Sequence, residues 1–225
     1  MGLHVLDDPS LVCRNRQLVA ESLGPVNNWV VGEQVHGNRV AVVDETHRGA
    51  GGFDVASAIQ DTDALVTSSP DVVLLTLAAD CVPMLFYDTI AGVIGVAHAG
   101  WRGTALGVAA NTVRTMCDEF GARPETIQVA LGPHIKSCCY EVDERVKQSF
   151  CEQYGTQPSW FEPTRDKHYQ LDLGKANESI VLNCGILPHH IDIHPLCTSC
   201  HRKLFFSHRA EGKTGRLAGI ISLKR

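Results

Sequence analysis

A chain of 225 residues, 44% hydrophobic and 20% charged, has the composition of a globular protein able to bury a sizeable core. Its formal net charge of −5 offers no basic footprint for nucleic acid or anionic lipid, which leaves a small molecule as the expected partner. The apolar runs are too short to cross a bilayer and the first residues carry no basic and apolar leader. The nine irregularly spaced cysteines are therefore read as reduced thiols of a cytoplasmic protein.

Taken in chain order, Arg14–Leu23 is expected as a short helix with Leu18, Val19 and Leu23 on one face. Asn28–Val31 and Arg39–Asp44 read as strands flanking the loop that carries His36, before the flexible segment Gly49-Ala50-Gly51-Gly52. Ala64–Thr67, Val72–Leu77, Met84–Tyr87 and Val93–Ala97 are short apolar runs separated by turn residues. Near-continuous apolarity in two of them suggests strands covered on both faces. Cys81 and His98 then fall just beyond strand ends, where a rigid scaffold commonly presents functional groups.

After Gly103 the period changes. Leu106, Ala109, Ala110, Val113, Met116, Cys117 and Phe120 recur at helical spacing, and Gly121 supplies the stop. Ile127–Leu131 reads as a strand, Asp143–Gln153 and Asp172–Cys184 as helices, the latter with Asp172 as its N-cap. Ile191–Ile193 and Leu217–Leu223 close the chain as strands. Mixed hairpins and helix crossovers fit an α+β class better than a regular βαβ series.

Three residues stand in unusual local sequences: His36 in Gln34-Val35-His36-Gly37, Cys81 in Ala79-Asp80-Cys81-Val82-Pro83, and His98 in Ala97-His98-Ala99-Gly100-Trp101-Arg102-Gly103. Two imidazoles and a thiolate suit a borderline-soft cation such as zinc, and three protein ligands leave the open position of a catalytic site. Cys81 taken alone reads equally as a small buried hydrophobe. Asp80 could orient a ligand or shuttle a proton, and Arg102 could hold an anionic group or simply stack on Trp101.

The other cysteine-rich region is read differently. His194, Cys197, Cys200 and His201 resemble half a zinc knuckle, but a structural site needs four ligands and only the lone Cys184 stands nearby. Cys138 and Cys139 are adjacent and are not expected to point together into one small site. No metal is expected there. A Gly-x-Ser-x-Gly elbow and the glycine-rich phosphate loops are also missing.

Six stretches together carry a resemblance. They are Gln34–Gly37, Asp61-Thr62-Asp63-Ala64-Leu65-Val66-Thr67, Ala79–Pro83, Gly95–Gly103, Gly132-Pro133 with Cys139-Tyr140-Glu141-Val142, and Phe206-Ser207-His208-Arg209 with Thr214-Gly215-Arg216. They resemble, in order, the signatures of the laccase-domain (YfiH-like) family, long labelled multicopper polyphenol oxidases. The resemblance implies one domain over 1–225, with a central β-sandwich of mixed sheets and helices packed outside. It implies zinc on His36, Cys81 and His98, with copper possible. The implied reactions are phosphorolysis of adenosine, inosine and methylthioadenosine, with adenosine deamination second.

Asp80, Cys81 and Arg102 become the candidate catalytic residues, and Gln34, Arg102, Arg209 and Arg216 the candidate binders of nucleoside and phosphate. Family members usually begin with a segment containing Thr-Arg-x-Gly-Gly and Ser-Leu-Asn-Leu-Gly. Here the chain opens at what looks like the end of that stretch, Gly2-Leu3-His4-Val5. The resemblance therefore implies that a basic and a polar residue of the site are absent. Two rivals use the same residues, a copper-dependent phenol oxidase and a cysteine hydrolase with Cys81 as nucleophile and His98 as base, and a third, of a different class, is a non-catalytic nucleoside-binding protein. Against the first stands the lack of any His-x-His pair.

Overall fold

The computed structural model describes residues 1–5, 7–155 and 159–223. The elements in chain order are α1 (Pro9–Leu23), β1 (Trp29–Val31), β2 (Val40–Val42), β3 (Ala64–Thr67), β4 (Val73–Ala78), β5 (Val82–Asp88) and β6 (Val93–Ala99). They continue with α2 (Trp101–Ala105), α3 (Val108–Phe120), β7 (Ile127–Leu131), β8 (Glu141–Asp143), α4 (Glu144–Tyr154), β9 (Phe161–Arg165) and β10 (His168–Leu171). The last are α5 (Leu173–Asn183), β11 (Ile191–Ile193), α6 (His208–Glu211) and β12 (Leu217–Ser222).

The strands form a six-stranded mixed sheet in the order β11-β7-β5-β6-β3-β2, a three-stranded sheet β1-β4-β12 and a small antiparallel sheet β8-β10-β9. Alternation along β6 explains the layering. Ile94 and Val96 pack with Val30, Leu65 and Leu74 in a cluster joining the first two sheets. Val93, Ala97 and Ala99 point the other way, to Val108, Ala109, Val113 and Met116 of α3. With both faces covered, every residue of β4 and β6 is buried, as their continuous apolarity suggests. Each fully buried side chain such as Leu74 or Phe86 contributes about 2 kcal/mol.

Helix ends follow local chemistry. Gly121, at φ +67°, donates its N–H to the Cys117 carbonyl and ends α3, and Asp172 accepts from the Lys175 N–H at 2.9 Å to start α5. Several expectations need correction. α1 begins at Pro9 rather than Arg14, because the Asp8 carboxylate accepts from the Ser10 N–H at 2.8 Å and Pro9 suits the first helical position. The helix expected after Gly103 is two helices, broken at Gly107 with φ +83°. His98 lies inside β6, paired with Pro83, rather than beyond the strand. The β8-β10-β9 sheet was not foreseen, since β9 is mostly exposed and contains Pro163.

Among the described residues no helix is long and apolar enough to cross a membrane.

Candidate metal centre

His36 sits on the loop between β1 and β2, with left-handed backbone at both Gln34 (φ +57°) and His36 (φ +63°). One carboxylate holds that loop. Asp63, buried immediately before β3, accepts hydrogen bonds from the N–H groups of Val35 (3.1 Å), His36 (2.9 Å) and Gly37 (2.7 Å). The same carboxylate lies 2.9 Å from Nδ1 of His98. Asp63 thus fixes the loop bearing one imidazole and the ring orientation of the other. A donor at Nδ1 leaves Nε2 of His98 as the ligating nitrogen. Sequence reasoning quoted Asp63 within a motif without assigning it a role. The available signal was an acid placed directly before the apolar run Ala64-Leu65-Val66.

Cys81 occupies the tight turn from β4 into β5, where Asp80 takes φ +86°. The ligand atoms of His36, Cys81 and His98 all lie within 4.8 Å of one another, and the two imidazole rings meet edge to face at 4.7 Å. Gly100 permits this approach. A Cβ there would stand 2.8 Å from Cys81 Sγ and 3.1 Å from His36 Cδ2.

Desolvation opposes charge at both Cys81 and His98, but the pair overcomes it. The positive charge of His98 and hydrogen bonds from His36 and His98 bring the Cys81 thiol down to about 6. The Cys81 charge and the Asp63 hydrogen bond lift His98 to about 9. Two nitrogens and a ready thiolate with one supported tautomer fit zinc, and the set leaves a coordination position open.

The three residues line a cavity of about 290 Å³ together with His4, Gln34, Leu77, His208 and Arg216. Leu77 comes from the smaller sandwich sheet and His98 from the larger, so the cavity opens where the two sheets end. Gln34 uses both ends of its amide on the Leu77 backbone, donating to its carbonyl at 2.7 Å and accepting from its N–H at 2.8 Å. Arg216 donates through Nη1 to the carbonyls of Thr214 and Gly215, and its other N–H groups have no partner among the described residues.

The other expected site residues are placed elsewhere. Arg102 is exposed, with its guanidinium 5.2 Å from the Trp101 ring centre, and it does not line this cavity. Arg209 lies over Tyr140 in an adjoining groove and donates to the Glu141 carbonyl at 2.8 Å. Asp80 is buried. Its carboxylate oxygens accept from the Thr198 hydroxyl at 2.7 Å and the Arg209 N–H at 2.6 Å, so both are occupied by positioning bonds.

The cysteine-rich region corrects the sequence reading. Cys138 and Cys139 do point to one place, and they meet Cys197 and Cys200 there, with all four sulfurs within 4.8 Å. Cys184 is not part of the group. His194 accepts from the Leu196 N–H and His201 bonds to the Cys197 carbonyl, both through Nδ1.

The model of the family described as multi-copper polyphenol oxidoreductase laccase matches residues 1–224. The chain belongs to this family. It is 43% identical over 224 residues to purine nucleoside phosphorylase YlmD of Geobacillus stearothermophilus, covering 98% of this chain and 82% of that protein. It is 34% identical over 212 residues to adenosine deaminase RL5 from an unknown prokaryotic organism, covering 93% of this chain and 80% of that protein. The crystal structure of YlmD from Geobacillus stearothermophilus superposes with a TM-score of 0.96 at 42% identity, over 100% of this chain and 84% of the other. The mixed α/β fold with sandwiched sheets and outer helices is therefore the family fold. Among the described residues, the clusters able to hold a metal are the His36, Cys81 and His98 set and the four cysteines.

Proposed function

We propose that this chain is a zinc-dependent purine nucleoside phosphorylase acting on adenosine, inosine and methylthioadenosine, with adenosine deamination as a second reaction. The observation that carries this reading is the open His36, Cys81 and His98 set on the wall of a cavity that also receives Arg216. Relatives at 43% and 34% identity that bear the names purine nucleoside phosphorylase and adenosine deaminase support it. Zinc held there would supply a Lewis acid and a bound water acidic enough to ionise near neutral pH.

In phosphorolysis a phosphate oxygen forms a bond to ribose C1′ while the C1′–N9 bond breaks, and the purine leaves with the electron pair. Arg216 is the guanidinium assigned to phosphate in this reading, since it lines the cavity and its hydrogen bonds among the described residues go only to the Thr214 and Gly215 carbonyls. His208 lines the same cavity, and with Nδ1 held 2.7 Å from the Gly212 carbonyl its Nε2 remains to exchange a proton with the departing purine. Asp80 is assigned here to positioning the turn before Cys81, through its bonds from Thr198 and the Arg209 N–H. Asp63 keeps His98 in its ligating tautomer.

A second reading has one observation in its favour. Cys81, His98 and Asp63 stand in the order of a nucleophile, base and orienting acid, and the thiol is already acidic. Metal-defined protein separates the two. The expected result is phosphate-dependent release of base and ribose 1-phosphate, lost with the metal and in Cys81→Ala. Purine turnover that survives metal removal overturns the zinc reading. Inactivation of metal-loaded enzyme by thiol alkylation favours the hydrolase. Phenol oxidation seen only after copper loading reduces the oxidase to a side reaction.

A further inference from the structure

Four thiols outside the cavity converge from two separate segments. The single helical turn Ser137–Cys139 sets the sulfurs of Cys138 and Cys139 3.8 Å apart. The segment anchored by the bridge between His134 and Cys197 brings Cys200 Sγ to 3.7 Å from Cys138 and 3.4 Å from Cys139. Cys197 completes the group with all four sulfurs inside 4.8 Å. A zinc–sulfur bond of about 2.3 Å gives a tetrahedron whose sulfur–sulfur edge is about 3.8 Å. The separations of 3.4, 3.7 and 3.8 Å among Cys138, Cys139 and Cys200 lie close to that edge, with Cys197 inside 4.8 Å.

We propose that Cys138, Cys139, Cys197 and Cys200 form a second metal site, a structural four-thiolate centre for a soft divalent cation such as zinc. Its position in the fold gives it a task. Thr198, within the Cys197–Cys200 turn, donates its hydroxyl to Asp80 and its N–H to the His134 carbonyl. Cys139 is followed by Tyr140, the ring under Arg209. The cation would fasten these two segments together and so brace the turn that presents Cys81.

The local chemistry suits a cation. The Lys136 N–H lies 3.4 Å from Cys197 Sγ, the kind of backbone donor that supports a bound thiolate. Four sulfurs at similar spacing also satisfy a tetrahedral ion better than a disulfide, which would join two and leave two unused.

The inference is independent of the reaction proposed for the cavity, and its test is a metal count. The full chain, expressed with zinc and purified under nitrogen without added thiol, should carry two zinc ions by native mass spectrometry. His36→Ala, which leaves all four cysteines in place, should keep one. Loading that variant with cobalt should give the intense thiolate-to-metal charge-transfer absorption of a four-sulfur site. Cys138→Ser with Cys139→Ser should also keep one zinc, now sensitive to His36→Ala. A metal-free His36→Ala chain overturns the proposal, as does one whose Cys139 and Cys200 are recovered as a disulfide after denaturation. Because the His36→Ala arm leaves the cluster intact, the result stands even where the serine variant fails to fold.

Discussion

Asp63 shows how much one side chain can settle. It closes the His36 loop through three backbone donors and faces His98 through the same carboxylate, so ligand placement and ligand tautomer share one group. Asp63→Asn keeps the size but offers an amide where a second acceptor oxygen was needed. Zinc affinity should fall roughly 10–100-fold, read by competition with a chromophoric chelator. Unchanged affinity would show that the ligands hold themselves.

The acidity of Cys81 makes a separate prediction for the metal-free chain. With the thiol lowered to about 6, its alkylation rate should rise through about pH 6, well below the range of an ordinary cysteine. His98, raised to about 9, contributes stability that is complete below the unfolded histidine value and lost as pH climbs through about 9. Cys81 contributes stability that is complete above the unfolded thiol value and lost as pH falls through about 6. The thiolate–imidazolium pair therefore lasts between about pH 6 and about pH 9. Alkylation that follows the ordinary thiol range would contradict the pairing.

Elements with strong local signals were legible. The strands β3, β7 and β11 have the expected bounds, and the Asp172 cap is where the sequence puts it. Asp172→Ala should cost about 1 kcal/mol in urea unfolding by exposing the first turn of α5. A loss near zero would mean that packing of Asn177 against Thr104 already fixes the helix. The β8-β10-β9 sheet was not legible because its residues are largely polar and half-exposed, so alternation carries little information. The cysteine cluster was hidden for another reason. Its partners are about 60 residues apart, with separations of 61 and 62 for the sulfur contacts, and only the packed fold brings them together. The same limit applies to the arginines: spacing along the chain could not distinguish Arg216, which reaches the cavity, from Arg102, which stays outside it.

At the scale of the whole molecule, the cavity depends on segments distant in sequence being tied to one frame. Arg16 on α1 is 2% exposed and spends its donors on carbonyls: Nε and Nη2 on Met1 at 3.0 and 2.8 Å, and Nη1 on Gly51 and Gly52 at 2.8 and 2.5 Å. This buried cation joins α1, the first residues and the glycine loop behind β1, and it holds the segment that places His4 on the cavity wall. Arg16→Met fills the space but strands those carbonyls, and stability should drop by about 3 kcal/mol. Chemical denaturation measures the drop. A nearly neutral effect would show that water reaches the carbonyls.

The left-handed backbone at Gln34, His36 and Asp80 has a consequence for evolution in the laboratory. Such a conformation costs a side-chain-bearing residue roughly 1–2 kcal/mol, a burden that glycine does not carry. At Gln34 and Asp80 the side-chain bonds to Leu77, Thr198 and the Arg209 N–H offset that strain, so only at His36 does glycine relieve it without losing such bonds, and there it removes a candidate metal ligand. Heat-based selection without a catalytic screen would reward the loss of the site. Relief of backbone strain and retention of the candidate metal site are thus opposing demands at His36.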